Sequence, residues 1–384
     1  MHVSMAPDMN PAADGLLQID LDAVVANYEA IVRQAAPAQV GGVVKADAYG
    51  LGAREISHAL MAAGCRHFFV AHLLEAVELK SSLAPECFVY VLNGLAPGTE
   101  PLCAKLGAVP VLNSLDQLTR WAALAMSQRS QLPAVIQVDS GMSRLGLPAN
   151  EIAVLLKQPH RLDWIKLVLI MSHLACADDP DAPSNASQEA AFLQVAEQFP
   201  HVPRSLDNSA GAFLRKPDHH DLVRPGIALF GGAPQFAHPN MMRPVVSLEA
   251  KIVQVREIPA GARVGYGLDF TAFQSSRIAT IGIGYGDGWL RHLGRCGGAF
   301  IAGIRVPIAG RVSMDSITLD VSHVPEKHLQ PGAPVELIGP HQTIDDVAAD
   351  ANTISYEILT RLGRRFHRRY LPAANRPTPL GGRA

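Results

Sequence analysis

Short apolar runs alternate with amphipathic stretches over the first 230 residues of the chain. Residues 40–45, 68–70, 88–92, 134–138, 165–171 and 222–223 form the apolar runs, and each predicts a strand. The alanine-rich stretches 54–63 and 73–82 carry apolar residues at helical spacing, as do residues 21–32 after a short strand at 16–20. Because alternating strands and helices pair in parallel, this many units predict a closed, TIM-like (β/α)8 barrel.

The pattern changes near residue 235. Pro234, Pro239 and Pro244 indicate a linker, and the chain then becomes rich in short β-type runs, at 245–258, 277–284, 299–309, 316–321 and 334–338. A single helix is predicted late, at 351–362. The predicted organisation is therefore a disordered leader at 1–15, a β/α barrel at 16–238 and a mostly-β C-terminal domain at 239–384.

Composition narrows the classes of partner. The 384 residues are 48% hydrophobic and 18% charged, with a formal net charge of −2, so no overall field attracts nucleic acid or an anionic membrane. A small molecule or a second copy of the chain is the expected partner. The first 15 residues lack the charged and apolar regions of a signal peptide, which predicts a cytoplasmic protein. The five cysteines and 15 histidines lack metal-ligand spacing, so no metal site is predicted.

Polar side chains directly follow several of the predicted barrel strands. They are Lys45, Asn93, Asp139, His173 and Arg224. In a β/α barrel the C-terminal ends of the strands face the catalytic mouth, so these side chains are expected to converge there. One polar residue after a strand is an ordinary turn, whereas five of mixed charge indicate a site.

Lys45 ends an apolar run and precedes a glycine-rich turn. Burial of an ammonium group is costly, and a desolvated lysine with a lowered pKa is what Schiff-base chemistry with pyridoxal phosphate requires. Lys45 is therefore a candidate covalent anchor for that cofactor. The alternative is a lysine that extends to water or pairs with Asp47.

Two segments of the first domain favour anion binding by backbone amides. Residues 207–211 resemble a capped helix start, and residues 224–227 offer Gly226, which has no side chain to cover the backbone. A phosphate could bind there, although simple capping and turn chemistry also explain both segments. In the second domain, Tyr266 and Tyr285 lie between glycines, where they pack poorly and present their hydroxyl groups.

An arginine-rich segment at 361–370 carries five arginines with aromatic residues between them. Such a segment can bind nucleic acid. The net charge of −2 and the lack of a recognised nucleic-acid module favour a solvated or strand-edge interpretation instead.

Eight motifs in the same order give the chain a resemblance to the alanine racemase family from about residue 19 to 370. They are VVKADAYG (43–50), VDSGMSRLG (138–146), MSHLA (171–175), NSA (208–210), RPGIAL (224–229), GYGDG (284–288), GRVSMD (310–315) and TISYE (353–357). The resemblance implies a barrel with a β domain, pyridoxal 5'-phosphate as cofactor and a homodimer with shared active sites.

The resemblance also implies residue roles. Lys45 holds the cofactor covalently and Tyr266 lies on its opposite face, so that two bases exchange the substrate Cα proton. His173 and Arg224 support the tyrosine, and Arg224 also donates to the pyridine nitrogen. Arg144 and the backbone of Met314 contact the substrate, and Tyr285 lines its entrance. The implied phosphate-binding residues are Tyr49, Ser209, Gly226, Ile227 and Tyr356.

The implied activity is interconversion of L- and D-alanine for peptidoglycan. Gln137 departs from the family pattern, because some members have a carbamylated lysine that braces the arginine corresponding to Arg144. Phe230 stands where a tyrosine is usual. These departures leave open a broader racemase acting on serine or larger amino acids. A catalytically silent carrier of pyridoxal phosphate would need Lys45 but not Tyr266. A decarboxylase would need a cysteine in an acidic pocket, which Cys296 does not supply.

Overall fold

A computed structural model describes residues 12–215, 218–236 and 238–371. These residues form two compact units. The barrel unit comprises residues 24–229 and 233–242, and the β unit comprises residues 12–23, 230–232 and 243–371. Residues 1–11, most of the predicted leader, lie outside the described residues. From residue 15 onward the chain is already in a strand of the β unit.

The first elements in the chain are β1 (Gly15–Asp20) and α1 (Leu21–Ala35). The strands of the barrel unit are β2 (Gln39–Val40), β3 (Gly42–Val43), β4 (His67–Val70), β5 (Phe88–Val91), β6 (Val109–Leu112), β7 (Leu132–Gln137), β8 (Ile165–Met171), β9 (Arg204–Ser205) and β10 (Leu222–Val223). Its further helices are α2 (Lys45–Gly50), α3 (Ala53–Ala62), α4 (Leu73–Lys80), α5 (Glu100–Leu106), α6 (Leu115–Ser127), α7 (Ala149–Lys157) and α8 (Pro183–Ala196).

The barrel strands form a closed ring. Strands β3 to β9 pair in parallel in sequence order, and β10 pairs in parallel with β2. The remaining gap is closed by two backbone hydrogen bonds, from Asp221 N to Arg204 O (3.0 Å) and from Arg224 N to Asp207 O (2.9 Å). The predicted barrel is therefore confirmed. Because all strands run in one direction, residues that follow β3, β8 and β10 lie at the same rim.

The β unit contains strands β11 to β19 and two helices. Their bounds are β11 (Val246–Ile258), β12 (Arg263–Val264), β13 (Phe270–Thr271), β14 (Ser276–Ile281), β15 (Gly298–Ile301), β16 (Ile304–Pro307), β17 (Ile317–Asp320), β18 (Pro334–Ile338), α9 (Ile344–Asp350), α10 (Ser355–Arg361) and β19 (His367–Leu371). The main sheet has the order β16-β15-β18-β11-β1-β19, and β14 joins β11 to β17. The predicted mostly-β domain is confirmed. It also includes β1, which the sequence analysis assigns to the barrel domain.

Two predicted elements need correction. The single helix expected at 351–362 is wrong, because α9 and α10 are separate helices and Asn352 between them has a left-handed φ of 53°. Strand β6 was not predicted, since Pro110 in its middle argues against a central strand. The arginine-rich segment ends in β19, an edge strand, as the strand-edge interpretation expects.

The parts of the chain that the structure describes match neither of two simple patterns, that of a membrane-spanning helix and that of a metal-binding cluster. None of the helices there is long and apolar enough to cross a bilayer. Histidine, cysteine, aspartate and glutamate side chains in these parts form no group of three or more that could hold a metal ion.

Candidate active site

The Arg224 side chain lies at the rim of the barrel, after β10, and only 4% of it is exposed. Its Nη1 donates to the Ser205 hydroxyl. Its Nη2 donates to the carbonyl oxygens of Ser172 (2.6 Å) and Leu206 (3.3 Å), and lies 3.5 Å from Nδ1 of His173. The guanidinium plane is therefore held by groups at the ends of two neighbouring strands, β8 and β9.

A buried carboxylate compensates the charge of Arg224. Asp207 is fully buried, and its Oδ2 lies 2.8 Å from Nδ1 of His219. Burial lowers the pKa of Arg224 to about 10, and the negative charge of Asp207 opposes that shift. Arg224 therefore remains protonated at neutral pH.

His173 is neutral at neutral pH. Burial lowers its pKa to about 3, and the positive charges of Arg224, Arg144 and Lys45 act in the same direction. Lys45 follows β3, Arg144 lies in the loop after β7, His173 follows β8 and Arg224 follows β10. The predicted convergence of Lys45, His173 and Arg224 is thus present in the barrel unit.

Lys45 follows β3 and is partly buried. Burial lowers its pKa, Arg144 lowers it further, and Glu75 opposes the shift. A lowered pKa raises the fraction of neutral, nucleophilic amine. Asp47, the alternative partner, instead accepts a hydrogen bond from Ala53 N at 2.7 Å, and none of the described ion pairs joins it to Lys45.

The backbone after Lys45 forms a left-handed turn. Residues 46–49 have φ values of 51° to 58°, although none is a glycine. This conformation costs about 1–2 kcal/mol per residue. Glu75 supports it, because one carboxylate oxygen accepts from Ala46 N (2.5 Å) and the other from Ala71 N (2.7 Å) and His72 N (2.9 Å). Strain of this kind persists only where surrounding contacts enforce it, which is typical of functional sites.

Ser209, Gly226 and Tyr49 form a small cradle beside this turn. The Ser209 hydroxyl accepts from Gly226 N (2.8 Å) and Ala228 N (3.3 Å), at the start of the short 3₁₀ helix Ile227–Phe230. A Cβ atom on Gly226 would lie 2.2 Å from the Tyr49 hydroxyl oxygen. Only a glycine at position 226 lets the backbone lie this close to the Tyr49 hydroxyl group. Because the Ser209 oxygen accepts the two backbone hydrogen bonds, the hydroxyl can donate its own proton to an anion such as a phosphate.

The loop after β7 carries Arg144. Its shape is fixed by Asp139, whose Oδ1 accepts from two backbone N–H groups of the loop, including Ser143 N at 3.0 Å. Asp139 therefore shapes the loop. Asn93 lies elsewhere at the rim, where its Nδ2 is 3.5 Å from Nδ1 of His72.

The other predicted site residues belong to the β unit. Tyr266 is 71% exposed, Met314 54%, Tyr285 41% and Tyr356 39%. Tyr266 begins a 3₁₀ turn (Tyr266–Leu268), and Tyr285 begins another (Tyr285–Asp287). These four side chains are therefore accessible at the surface of the β unit.

Comparison with known proteins assigns the family. The model of the alanine racemase N-terminal domain matches residues 19–234, and that of the C-terminal domain matches residues 245–370. The chain belongs to the alanine racemase family. It is 50% identical over 365 residues to a catabolic alanine racemase of Agrobacterium fabrum, covering 95% of this chain and 94% of that protein. It is 51% identical to an alanine racemase of Brucella canis, with 94% of each chain covered.

Solved structures of alanine racemases share the fold. The crystal structure of alanine racemase from Bartonella henselae, with covalently bound pyridoxal phosphate, matches with a TM-score of 0.91 and 44% identity, over 94% of this chain and all of that one. Biosynthetic alanine racemase from Pseudomonas aeruginosa matches with a TM-score of 0.86 and 33% identity, over 94% of this chain and all of that one.

Two residues that support the site in this member of the alanine racemase family are not predicted from the sequence. Glu75 stands three residues after His72, the spacing of a capping box, and that spacing was the available signal. For Asp207 the sequence predicts only a role in a helix cap. In the structure Asn208 caps the short turn through Gly211 N (2.9 Å), and Asp207 instead lies buried near Arg224.

Proposed function

We propose that the protein is a pyridoxal-phosphate-dependent racemase that interconverts L- and D-alanine by a two-base mechanism. The observation that carries this proposal is the lowered pKa of Lys45 beside Arg144, His173 and Arg224 in a member of the alanine racemase family. An amine whose pKa is lowered by burial and by a neighbouring arginine is suited to carbonyl chemistry on an anionic cofactor and an amino-acid carboxylate.

The residues of the barrel unit fit the cofactor. Lys45 would bind its aldehyde carbon, and the cradle of Tyr49, Ser209, Gly226 and Ile227 would hold its phosphate. Tyr356, which belongs to the β unit, is proposed as a further phosphate ligand. The cradle supports this assignment because it has no room for a Cβ at Gly226 and carries a hydroxyl group bonded to two backbone N–H groups. Bound to Lys45, pyridoxal phosphate would acidify the substrate Cα–H.

The chain's own groups then move the proton. The amine of Lys45 removes or returns it on one face of the substrate, and the hydroxyl of Tyr266 acts on the other face. Arg144 holds the substrate carboxylate with the backbone amide of Met314. Inversion of the centre follows because removal and return take place on opposite faces.

Arg224 and His173 tune this chemistry. Arg224 keeps its proton at neutral pH, so it can donate to a ring nitrogen of the cofactor without protonating it. An arginine in this place would therefore leave the ring nitrogen unprotonated and less electron-withdrawing than a carboxylate partner would. His173, held neutral by burial and by the neighbouring positive charges, is proposed to support Tyr266.

Tyr266 and Met314 are proposed to act in the barrel of a second subunit, where Tyr285 lines the substrate entrance. The exposure of these three residues on the β unit supports this homodimer with shared sites. A monomer would then lack its second base. Sedimentation or light scattering at micromolar concentration, combined with activity, tests this point: dissociation should abolish turnover.

The predicted role is supply of D-alanine for peptidoglycan in the cytoplasm. A second candidate, breakdown of D-alanine, is favoured by the catabolic name of the Agrobacterium fabrum relative. Deletion of the gene separates the two roles. D-Alanine dependence of growth would support the supply role, and failure to grow on alanine as a carbon source would support the catabolic one.

The activity itself is tested with purified protein, pyridoxal phosphate and L-alanine, with the product resolved by chiral chromatography. Formation of D-alanine supports the proposal. Equal rates on serine or larger amino acids would favour the broader racemase, and lack of any product would favour the silent carrier.

A further inference from the structure

Arg365 belongs to the arginine-rich segment, to which the proposed function gives no role. Its guanidinium binds two carboxylates of the β unit. Nε and Nη2 donate to the two oxygens of Asp287, at 2.6 and 2.8 Å, and Nη1 donates to Oδ1 of Asp315 at 2.7 Å. These contacts raise the pKa of Arg365, so it stays charged. Paired contacts with one carboxylate fix the plane of the guanidinium as well as its position.

Arg365 and its two carboxylate partners, Asp287 and Asp315, are called the clamp. The Asp287 end of the clamp holds the turn that carries Tyr285. Asp287 is only 3% exposed, and its Oδ2 also accepts from Gly284 N at 2.9 Å. The Asp287 N–H in turn donates to Gly284 O at 3.0 Å, which closes the turn around Tyr285. A buried carboxylate is strongly destabilising without a partner, so this turn depends on Arg365.

The Asp315 end reaches the loop that carries Met314. Tyr285 N donates to Ser313 O (2.9 Å), and Gly286 N donates to Met314 O (2.8 Å), so the turn and the loop are already in contact. A Cβ on Gly286 would lie 2.9 Å from both Arg365 Nη2 and Met314 O. At Gly286 there is therefore no space even for a methyl group between the Arg365 guanidinium, the turn and the loop.

We propose that Arg365 is a positioning residue that fixes Tyr285 relative to Met314 and so sets which amino-acid side chains the enzyme accepts. This inference rests on the proposed function, in which Tyr285 lines the substrate entrance and Met314 contacts the substrate. Without the clamp, the turn and the loop move apart more easily. The pocket then binds alanine less tightly and excludes larger side chains less strictly.

The variant Arg365→Lys tests this directly. Lysine keeps the charge but cannot bind both carboxylates through a planar fork. For L-alanine we expect KM to rise about fivefold or more while kcat changes less. The ratio of kcat/KM for alanine to kcat/KM for serine should fall about fivefold. A pocket discriminates between substrates that differ by one methylene-sized group by a factor on the order of ten, and loss of the fixed geometry removes part of that factor. Arg364→Lys, at the exposed neighbouring position, is the matched control and should keep wild-type values.

A second variant keeps the test decisive if Arg365→Lys folds poorly. Asp315→Asn removes one partner at an exposed position and should shift KM and the alanine-to-serine ratio in the same direction. The double variant Arg365→Lys/Asp315→Asn should change KM and the alanine-to-serine ratio by less than the sum of the two single variants, because both substitutions break the same clamp.

Some outcomes would overturn the inference. A lower melting temperature with unchanged KM and unchanged alanine-to-serine ratio, in both variants, would make Arg365 a structural residue only. Wild-type protein that forms no D-alanine would instead remove the proposed function, and this inference with it.

Discussion

Nη2 of Arg224 lies 3.5 Å from Nδ1 of His173, and in this pair the arginine can only donate. Since the pKa of His173 is about 3, its imidazole is neutral at pH 7 and Nδ1 is the acceptor. Its one ring proton is therefore on Nε2. A neutral histidine with a fixed Nε2–H is a donor, which is what a tyrosine oxygen that loses its proton during a reaction needs.

The neutral, partly buried state of His173 predicts how stability depends on pH. Its folded pKa, about 3, is below the ordinary value near 6.5, so the unfolded chain takes up this proton first. The contribution of His173 is complete above pH 6.5 and is lost as the pH falls toward 3, on the order of 1 kcal/mol per pH unit. In urea unfolding between pH 7 and 4.5, His173→Gln should lose less stability than wild type.

The control for that measurement is His201→Gln, at an exposed position. It should follow the wild-type pH dependence. If His173→Gln and wild type lose stability in parallel, His173 is not held neutral in the folded protein.

Lys45 is predicted to be the covalent anchor of the cofactor. Lys45→Arg keeps a positive charge but lacks a nucleophilic amine, so it should lose the visible absorbance of bound pyridoxal phosphate and at least about a thousandfold in turnover. Borohydride reduction followed by peptide mapping should place the label on Lys45 in the wild-type protein. Lys105→Arg, on the exposed surface of α5, should behave as wild type. Label on another lysine would contradict the assignment.

Gly226 is predicted to be required for phosphate binding. Gly226→Ala places a Cβ 2.2 Å from the Tyr49 hydroxyl oxygen, and the next ring atom would be at 3.0 Å. The variant should bind pyridoxal phosphate about tenfold or more weakly, a loss of roughly 1.4 kcal/mol. Measurement is by titration of the cofactor into apoprotein.

A compensating change sharpens this prediction. Tyr49→Phe removes the clashing oxygen but also a proposed phosphate ligand, so the Tyr49→Phe single variant is needed as the reference. Gly226→Ala should weaken cofactor binding less in the Tyr49→Phe protein than in wild type. An equal loss in both proteins would show that the clash is not the cause.

Sequence patterns predicted the architecture because periodicity records which face of each element is buried. The barrel and the positions of Lys45, His173 and Arg224 at its rim followed from this. Strand β6 did not, since local rules exclude Pro110 from a central strand.

The left-handed turn at residues 46–49 could not be predicted either. Alanine, aspartate and tyrosine favour other backbone conformations, and the contacts of Glu75 that support the turn come from a distant part of the chain. The link between Asp207 and His219 likewise arises only when the barrel closes.

The central claim is that two bases, Lys45 and Tyr266, exchange the substrate proton from opposite faces. The most direct test incubates wild type and Tyr266→Phe with pyridoxal phosphate and each alanine enantiomer in deuterated water, with Cα exchange and inversion followed together by NMR. Wild type should give inverted, deuterated alanine from either enantiomer. Tyr266→Phe should keep the cofactor and exchange one enantiomer with little inversion. Inversion at the wild-type rate, or equal loss in both directions together with loss of the cofactor, would contradict the two-base account.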